Sequence, residues 1–337
     1  MKLALRNAPH IRAASSNVTV MGDAVLALAA LYFIAAFYYG MRAVSLGIFG
    51  IIVSCLADLI CVKLSGHFFS IRDLSPVVTG MIIPLMMPAS IPYSVVLTAC
   101  VFAICVAKQP FGGLGNNLFN PAAAGVAFAI TCWSTRMFAY PAAFSALEPL
   151  GEVTVALQSS GAYSLYMGGA PAADFSSILL GIVPGPMGTT NALVILACLL
   201  YLAARGTVRL TQPLLCLFTV GVLAMMFPRA PVGSVSSALY ELLCTPVVFC
   251  AVFMLTDPVT SPKRLLAKNL YAVACGLVIM LFAWLGGYEQ TIAFAVLFMN
   301  ALVPAFDIAA EHLVIKERRR HGGPERKERC EDGAEDD

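Results

Sequence analysis

The chain has 337 residues, 59% of them hydrophobic and 12% charged, with a formal net charge of +2. Soluble domains carry about 25% charged residues, so this composition, with a mean hydropathy of +0.83, excludes a water-soluble globular enzyme, a coiled coil and a disordered chain. The near-neutral balance gives no electrostatic footprint for nucleic acid.

A polar leader, 1–22, precedes the first apolar run, and no small-residue cleavage site follows that run, so no cleavable signal peptide is expected. Ten apolar runs then succeed one another, at 23–41, 43–63, 74–89, 91–108, 119–134, 176–204, 210–228, 238–257, 269–286 and 290–309. Most have the length of a bilayer-crossing helix, about 20 residues. In lipid such runs are helical, because no water satisfies exposed backbone groups. The predicted fold is therefore all-α, a polytopic integral membrane protein with about ten transmembrane helices. Pro84, Pro88 and Pro92 interrupt the third and fourth runs, and the run 176–204 contains a break.

The runs divide the chain into the leader, a first membrane half 23–134, a loop 135–175, a second membrane half 176–309 and a charged tail 310–337 expected to be disordered. Ten crossings put both termini on one side. That side collects 18 of the 21 Lys and Arg residues, leaving Arg42, Arg136 and Arg229 opposite. The excess marks the cytoplasmic side, so both termini are predicted cytoplasmic and the loop 135–175 external.

Ten of the 11 cysteines, Cys55 to Cys275, lie in or beside apolar runs, with no Cys-X-X-Cys pair; His10, His67, His312 and His321 are scattered. The thiols are expected to pack as small apolar residues, and no metal cluster is predicted.

Four segments carry candidate chemistry. The stretch Phe111–Gly125 sets Gly112, Gly113 and Gly115 and the amides of Asn116, Asn117 and Asn120 at the entry to a span, with Asn120-Pro121 suited to cap and start a helix. Thr256-Asp257-Pro258 ends another span as a helix terminator or as a site for a cation or flavin ring. Asp58, Asp257 and Asp307 are acids at or near membrane depth, where an ionisable group points to function. Gly181–Asn191, with Thr189 and Thr190, opens a span as a capped start or an anion site. Weak internal symmetry pairs Leu74–Pro84 with Cys244–Met254, and Asn117–Pro121 with Met299–Pro304. Interrupted helices at matching places in two halves point to a central site.

These motifs, in order, resemble the D subunits of Rnf ion-translocating oxidoreductase complexes, relatives of the B subunits of sodium-pumping NADH:quinone reductases. The resemblance runs from Ala8–Arg12 to about Asp307 and includes Asp73–Gly80, Gly113–Ala122, Gly188–Leu193, Leu255–Thr260, Gly286–Tyr288 and Ala293–Pro304. It implies two related five-helix halves in the manner of urea and ammonium channels. It implies a flavoprotein of the cell inner membrane that relays electrons through FMN. Its complex couples ferredoxin:NAD chemistry to Na+ or H+ translocation, alongside other membrane and peripheral subunits. The quinone-reductase relative holds a second flavin type, and the resemblance leaves its presence in this chain open. Asp58, Asp257 and Asp307 become candidates for the ion path.

In that family FMN is joined to a threonine of the external loop. The matching stretch here is Ser159-Ser160-Gly161-Ala162-Tyr163-Ser164, with Tyr163 at the acceptor position. Covalent attachment is therefore in question. The expected flavin contacts are Ser160, Gly161, Ala162, Tyr163, Ser164, Thr189, Thr190, Asn116, Asn117 and Asn120, with no catalytic residue. The alternative is a flavin-free subunit, channel-like or a scaffold, on the same fold.

Overall fold

A computed structural model describes residues 17–65, 73–113, 115–151, 153–287 and 290–321, with side chains of the last segment given for 291–313. It is helical almost throughout. Its one sheet among the described residues is a two-residue ladder, Tyr140–Pro141 against Leu157–Gln158, inside the expected external loop.

The first half holds α1 (Asn17–Tyr39), α2 (Met41–Leu64), α3 (Ser75–Leu85), α4 (Tyr93–Phe102) and α5 (Pro121–Cys132). Short helices α6 (Ser134–Met137), α7 (Gly161–Tyr166) and α8 (Phe175–Leu180) lie in the connection. The second half holds α9 (Ala192–Ala204), α10 (Thr211–Met226), α11 (Ser234–Cys244), α12 (Val247–Phe253), α13 (Leu265–Trp284) and α14 (Gln290–His321).

Five helical stretches, Asn17–Tyr39, Met41–Leu64, Tyr93–Phe111, Leu265–Trp284 and Thr291–Leu313, are long and apolar enough to cross a membrane. The pair α11–α12, bent by 56°, makes a sixth if it is one span, and α3, α5, α9 and α10 are shorter apolar helices. The chain is thus a multi-pass helical membrane protein. Apolar residues on the outer faces of α1 and α2, among them Phe33, Phe37, Ile48, Ile52 and Ile60, are exposed, as expected where lipid replaces water.

The break expected in the run 176–204 divides it into α8 and α9 around a loop rich in Gly and Pro, whose residues cannot continue a helix. Two boundaries depart from the sequence expectation. Asn17 opens α1 inside the expected leader, because nothing in 17–22 breaks a helix. At the other end α14 continues to His321, so the expected disordered tail begins as helix. The rest of the expected tail, most of the leader, Arg72 and Tyr288 lie outside the described residues.

Small residues set the closest packing. Where α2 crosses α3, a Cβ on Gly80 would come within 2.8 Å of the Gly50 carbonyl carbon and the Ile51 Cα, the use of small residues found between membrane helices. Tyr32, whose ring lies over Gly47, donates to the Met81 carbonyl at 2.8 Å. Between the halves, α1 packs on α9 and α5 on α14.

Both α3 and α12 stop short, and each end is met by at least one partner from the far half. The carbonyls of Leu85 and Met87, at the end of α3, accept the backbone N–H groups of Gly188 and Met187 at 2.8 and 3.0 Å. Beyond them, buried Arg42 donates from Nε to Ala89 O at 3.0 Å and from Nη1 to Gly151 O at 2.7 Å, tying the loop after Glu148 to the break between α3 and α4. At the end of α12, Met254 O accepts from Asn120 Nδ2 at 3.5 Å and Leu255 O from Gln212 Nε2 at 2.8 Å. A broken membrane helix needs such partners, since no water is there to supply them.

Candidate functional site

Apart from Thr189 and Thr190, the motif residues gather at two places, one at each end of α5. At its start Asn120 caps the helix as expected, its Oδ1 accepting the Ala123 N–H at 3.1 Å, with Pro121 in the first position. The Asn120 N–H in turn donates to Asn300 Oδ1 on α14 at 2.9 Å. Asn300 is buried and spends its Nδ2 on Thr260 O at 3.2 Å and Tyr271 Oη at 3.0 Å. One amide therefore connects the Asn-Pro motif, the loop after α12 and α13.

Beside this hub lies a cavity of about 80 Å³, entered by the N-terminal ends of α3 and α5 and closed by the end of α12, with Lys108, Asn117 and Asp257 in its wall. That volume suits several waters or a cation; the three rings of a flavin would need its walls to part. Two buried polar atoms of the wall, Ser75 Oγ and Asn117 Oδ1, have no hydrogen-bond partner among the described residues. Such groups call for water, an ion or a ligand.

The three acids lie at this end of the molecule in different settings. Asp58 is neutralised: its Oδ1 accepts from Lys108 Nζ at 2.9 Å and Gln109 Nε2 at 2.5 Å, and Lys108 also holds Asp73 at 3.1 Å. Lys108 sits in the π-helical turn Ala103–Lys108 that extends α4, a widened turn often found at functional sites. Asp257 faces the cavity while its carboxylate accepts the Val259 N–H at 3.2 Å and the Thr260 hydroxyl at 2.8 Å. Asp307 is half-buried and accepts the Lys263 N–H at 3.1 Å, as a cap on the chain entering α13.

At the far end of α5, a pocket of about 330 Å³ is lined by Ser134, Thr135, Phe138, Ser159, Ser160 and Tyr163. Ser160 caps α7, its Oγ accepting the Tyr163 N–H at 3.2 Å. Gly161 lies against Cys244, and Ala162 is buried under the helix.

The predicted flavin residues are thus not one constellation. The 12 residues of α5 separate Asn117 and Asn120 from Tyr163 by about 18 Å, at 1.5 Å per residue. Asn116 is exposed on a turn closed by its N–H to Gly113 O at 3.2 Å. Thr189 and Thr190 are buried in the loop that meets α3 and line neither cavity; the cap of α9 is Asn191, whose Oδ1 accepts the Val194 N–H at 3.0 Å.

Sequence reading missed three participants. Lys108 pairs with Asp58 from 50 positions away, a contact no local spacing reveals. Asn300 entered only inside the repeat and the family resemblance, with no role of its own. Asp23 is a further buried acid, holding Tyr201 Oη, Arg205 Nε and Thr207 Oγ1 at 3.2, 3.1 and 2.9 Å; an acid opening an apolar run was the signal available.

The sequence model of the NQR2, RnfD, RnfE family matches residues 4–316. The D subunit of the Na(+)-translocating ferredoxin:NAD(+) oxidoreductase complex of Acetobacterium woodii is 30% identical over 309 residues, 91% of this chain and 93% of that protein. The D subunit of the proton-translocating ferredoxin:NAD(+) oxidoreductase complex of Clostridium ljungdahlii is 28% identical over 310 residues, covering 90% and 93%. The D subunit of the ion-translocating oxidoreductase complex of Halorhodospira halophila is 28% identical over 326 residues, covering 89% and 91%.

Proposed function

The chain belongs to the NQR2, RnfD, RnfE family, and from that premise we propose that it is the D subunit of an Rnf-type complex, relaying electrons through FMN while the complex moves Na+ or H+. The observation that carries this reading is the convergence at Asn300. The family's Asn-Pro and Thr-Asp-Pro motifs, far apart in sequence, meet there beside one cavity between the halves, whose largely apolar wall carries Lys108, Asn117 and Asp257. One relative is named for Na+ and another for protons, so the proposal covers either ion.

The proposed membrane arrangement is ten crossings in two related halves, with both termini in the cytoplasm and the chain in the inner membrane. It is supported by the packing of α1 on α9 and α5 on α14, since a two-fold relation sets equivalent elements against each other. It is supported also by the shortened α3 and α12 at matching places.

The pocket at Tyr163 fits a flavin phosphate held without a covalent bond. Its volume, about 330 Å³, is that of a small-ligand site, roughly 300–1,000 Å³. Hydroxyls of Ser134, Thr135, Ser159 and Ser160 offer donors for a phosphate, and the Phe138 and Tyr163 rings offer faces. Ser160 Oγ accepts from Tyr163 N–H and keeps its own hydrogen to give. When bound, FMN supplies the electron-accepting chemistry; the chain's part is to bind and orient it. In the central cavity, Asp257 and the unpartnered Ser75 and Asn117 atoms would line the ion path, with Lys108, held by Asp58, in its wall and Asp307 at its cytoplasmic edge. A second flavin in that cavity would require α3 and α12 to separate.

The second reading is a flavin-free scaffold or channel-like subunit, favoured by Tyr163 in the acceptor position. An absorption spectrum of the purified complex, with flavin fluorescence of this chain after SDS denaturation, separates them. A native flavin spectrum with a dark denatured band supports the first reading. A chain without flavin in an assembled, active complex overturns it.

A further inference from the structure

Two thiols face each other where α2 meets α4. Cys61 Sγ lies 3.2 Å from Cys105 Sγ, across 44 positions of sequence. Both side chains are half-buried, whereas Cys100, Cys198, Cys216, Cys250 and Cys275 are fully buried. Each stands within one turn of a charged helix end: Cys61 two residues before Lys63, and Cys105 three before Lys108. A small uncharged oxidant therefore reaches them from the polar edge of the membrane. Neither thiol has a part in the flavin or ion reading above.

We propose that Cys61 and Cys105 are a redox-sensitive pair that a hydroperoxide converts into a disulfide clamping α2 to α4. A disulfide needs its sulfurs about 2.05 Å apart, so they must close by roughly 1.2 Å, within reach of small side-chain rotations. One sulfur, as thiolate, attacks the peroxide O–O bond, becoming a sulfenic acid and releasing an alcohol. The second thiol then displaces that oxygen as water. Two thiols and one hydroperoxide give one disulfide, one alcohol and one water; the sulfurs lose two electrons and the peroxide gains them.

The position of the pair gives the bond a consequence. Asp58 lies one turn before Cys61 on α2, and Lys108 one turn after Cys105, so the disulfide spans the same two segments as the buried Lys108–Asp58 pair. Cys105 also stands in the π-helical turn Ala103–Lys108, whose hydrogen-bonding pattern differs from that of the helix preceding it. Cross-linking fixes that turn, and with it Lys108 in the wall of the central cavity. Oxidation slows ion movement, and a thiol reductant restores it.

The test uses membranes holding the assembled complex. After hydrogen peroxide treatment, free thiols are capped with N-ethylmaleimide in SDS, disulfides are reduced, and the released thiols receive an isotopically heavy maleimide before peptide mass spectrometry. Cys61 and Cys105 should pass to the heavy label together, and an unreduced sample should yield the peptide pair joined at these residues. Full light labelling of both at doses that oxidise exposed Cys132, or pairing of either with another cysteine, overturns the proposal. Ion uptake should fall several-fold on oxidation and recover with dithiothreitol, and a Cys61→Ser complex should not respond. Uptake unchanged despite the disulfide overturns the clamp. Both readouts hold whether or not a flavin is bound, so their failure is separate from failure of the flavin reading.

Discussion

Asn300 Oδ1 accepts the backbone N–H of Asn120 at 2.9 Å, joining residues 180 positions apart. The same side chain holds Thr260 O and Tyr271 Oη. Asn300→Leu keeps the branching at Cγ, in a somewhat larger side chain, and removes every one of these bonds. Each buried group left without a partner costs about 1–3 kcal/mol. The expected outcome is a large fall in the thermal midpoint of the detergent-solubilised protein. Asn300→Asp retains the acceptor for Asn120, loses the two donations and should fall in between. Equal midpoints for all three would show that the hub contributes nothing to joining the halves.

The Lys108 pairs make a prediction of the opposite kind, in which removing more restores stability. Lys108→Met leaves the Asp58 carboxylate buried without its cation, and breaking one side of a buried pair costs about 3–5 kcal/mol. Adding Asp58→Asn removes the stranded charge, so the double variant should recover much of the loss. A double-mutant cycle on thermal or denaturant unfolding reads this coupling. If the two single losses simply add, the pair is not coupled.

Gly80 stands where α3 meets the α2 backbone. Gly80→Ala sets a methyl group within 2.8 Å of Gly50 and Ile51 backbone atoms, so the helices must separate; overpacking of this kind costs about 1–3 kcal/mol. Gly22, with nothing within 4 Å of an added Cβ, is the matched control, and Gly22→Ala should be neutral or slightly stabilising. Comparable yields of folded protein from both variants would show that the α2–α3 crossing has room to relax.

Tyr163→Thr restores the threonine that the family resemblance places at the flavin acceptor. Produced with a flavin-attaching transferase, this variant should give a protein band that fluoresces after SDS denaturation, while the parent band stays dark. Fluorescence from the parent would reverse the non-covalent reading, and peptide mapping would then find the residue used.

Much of the helical frame was legible because it rests on local composition. Long apolar runs with few charges correspond to α1, α2, α13 and α14, and Asn120-Pro121 announced its own cap and first turn. The site was less legible, because its geometry depends on which elements meet. The prolines of 84–92 signalled a break without telling that Gly188 and Met187 would satisfy the α3 carbonyls. Asp58 read as an isolated charge, since Lys108 approaches it only after α2 and α4 have packed. Grouping Tyr163 with the asparagines failed for a plain metrical reason. They belong to opposite ends of one helix, which sequence order alone does not reveal when the chain returns through a long loop.

The exchanged caps on α3 and α12 bear on how the chain is made. Synthesis delivers α3 to the membrane long before Met187 and Gly188 have been translated. Until then its terminal carbonyls have no lasting partner in lipid, where each such group costs several kcal/mol. The nascent first half must therefore wait, with α3 held at the polar edge or sheltered by the insertion machinery, and it locks into place only when the second half arrives. A chain truncated before residue 187 would remain an unfinished insertion intermediate and a target for membrane proteases, so neither half is inherited as a separable module.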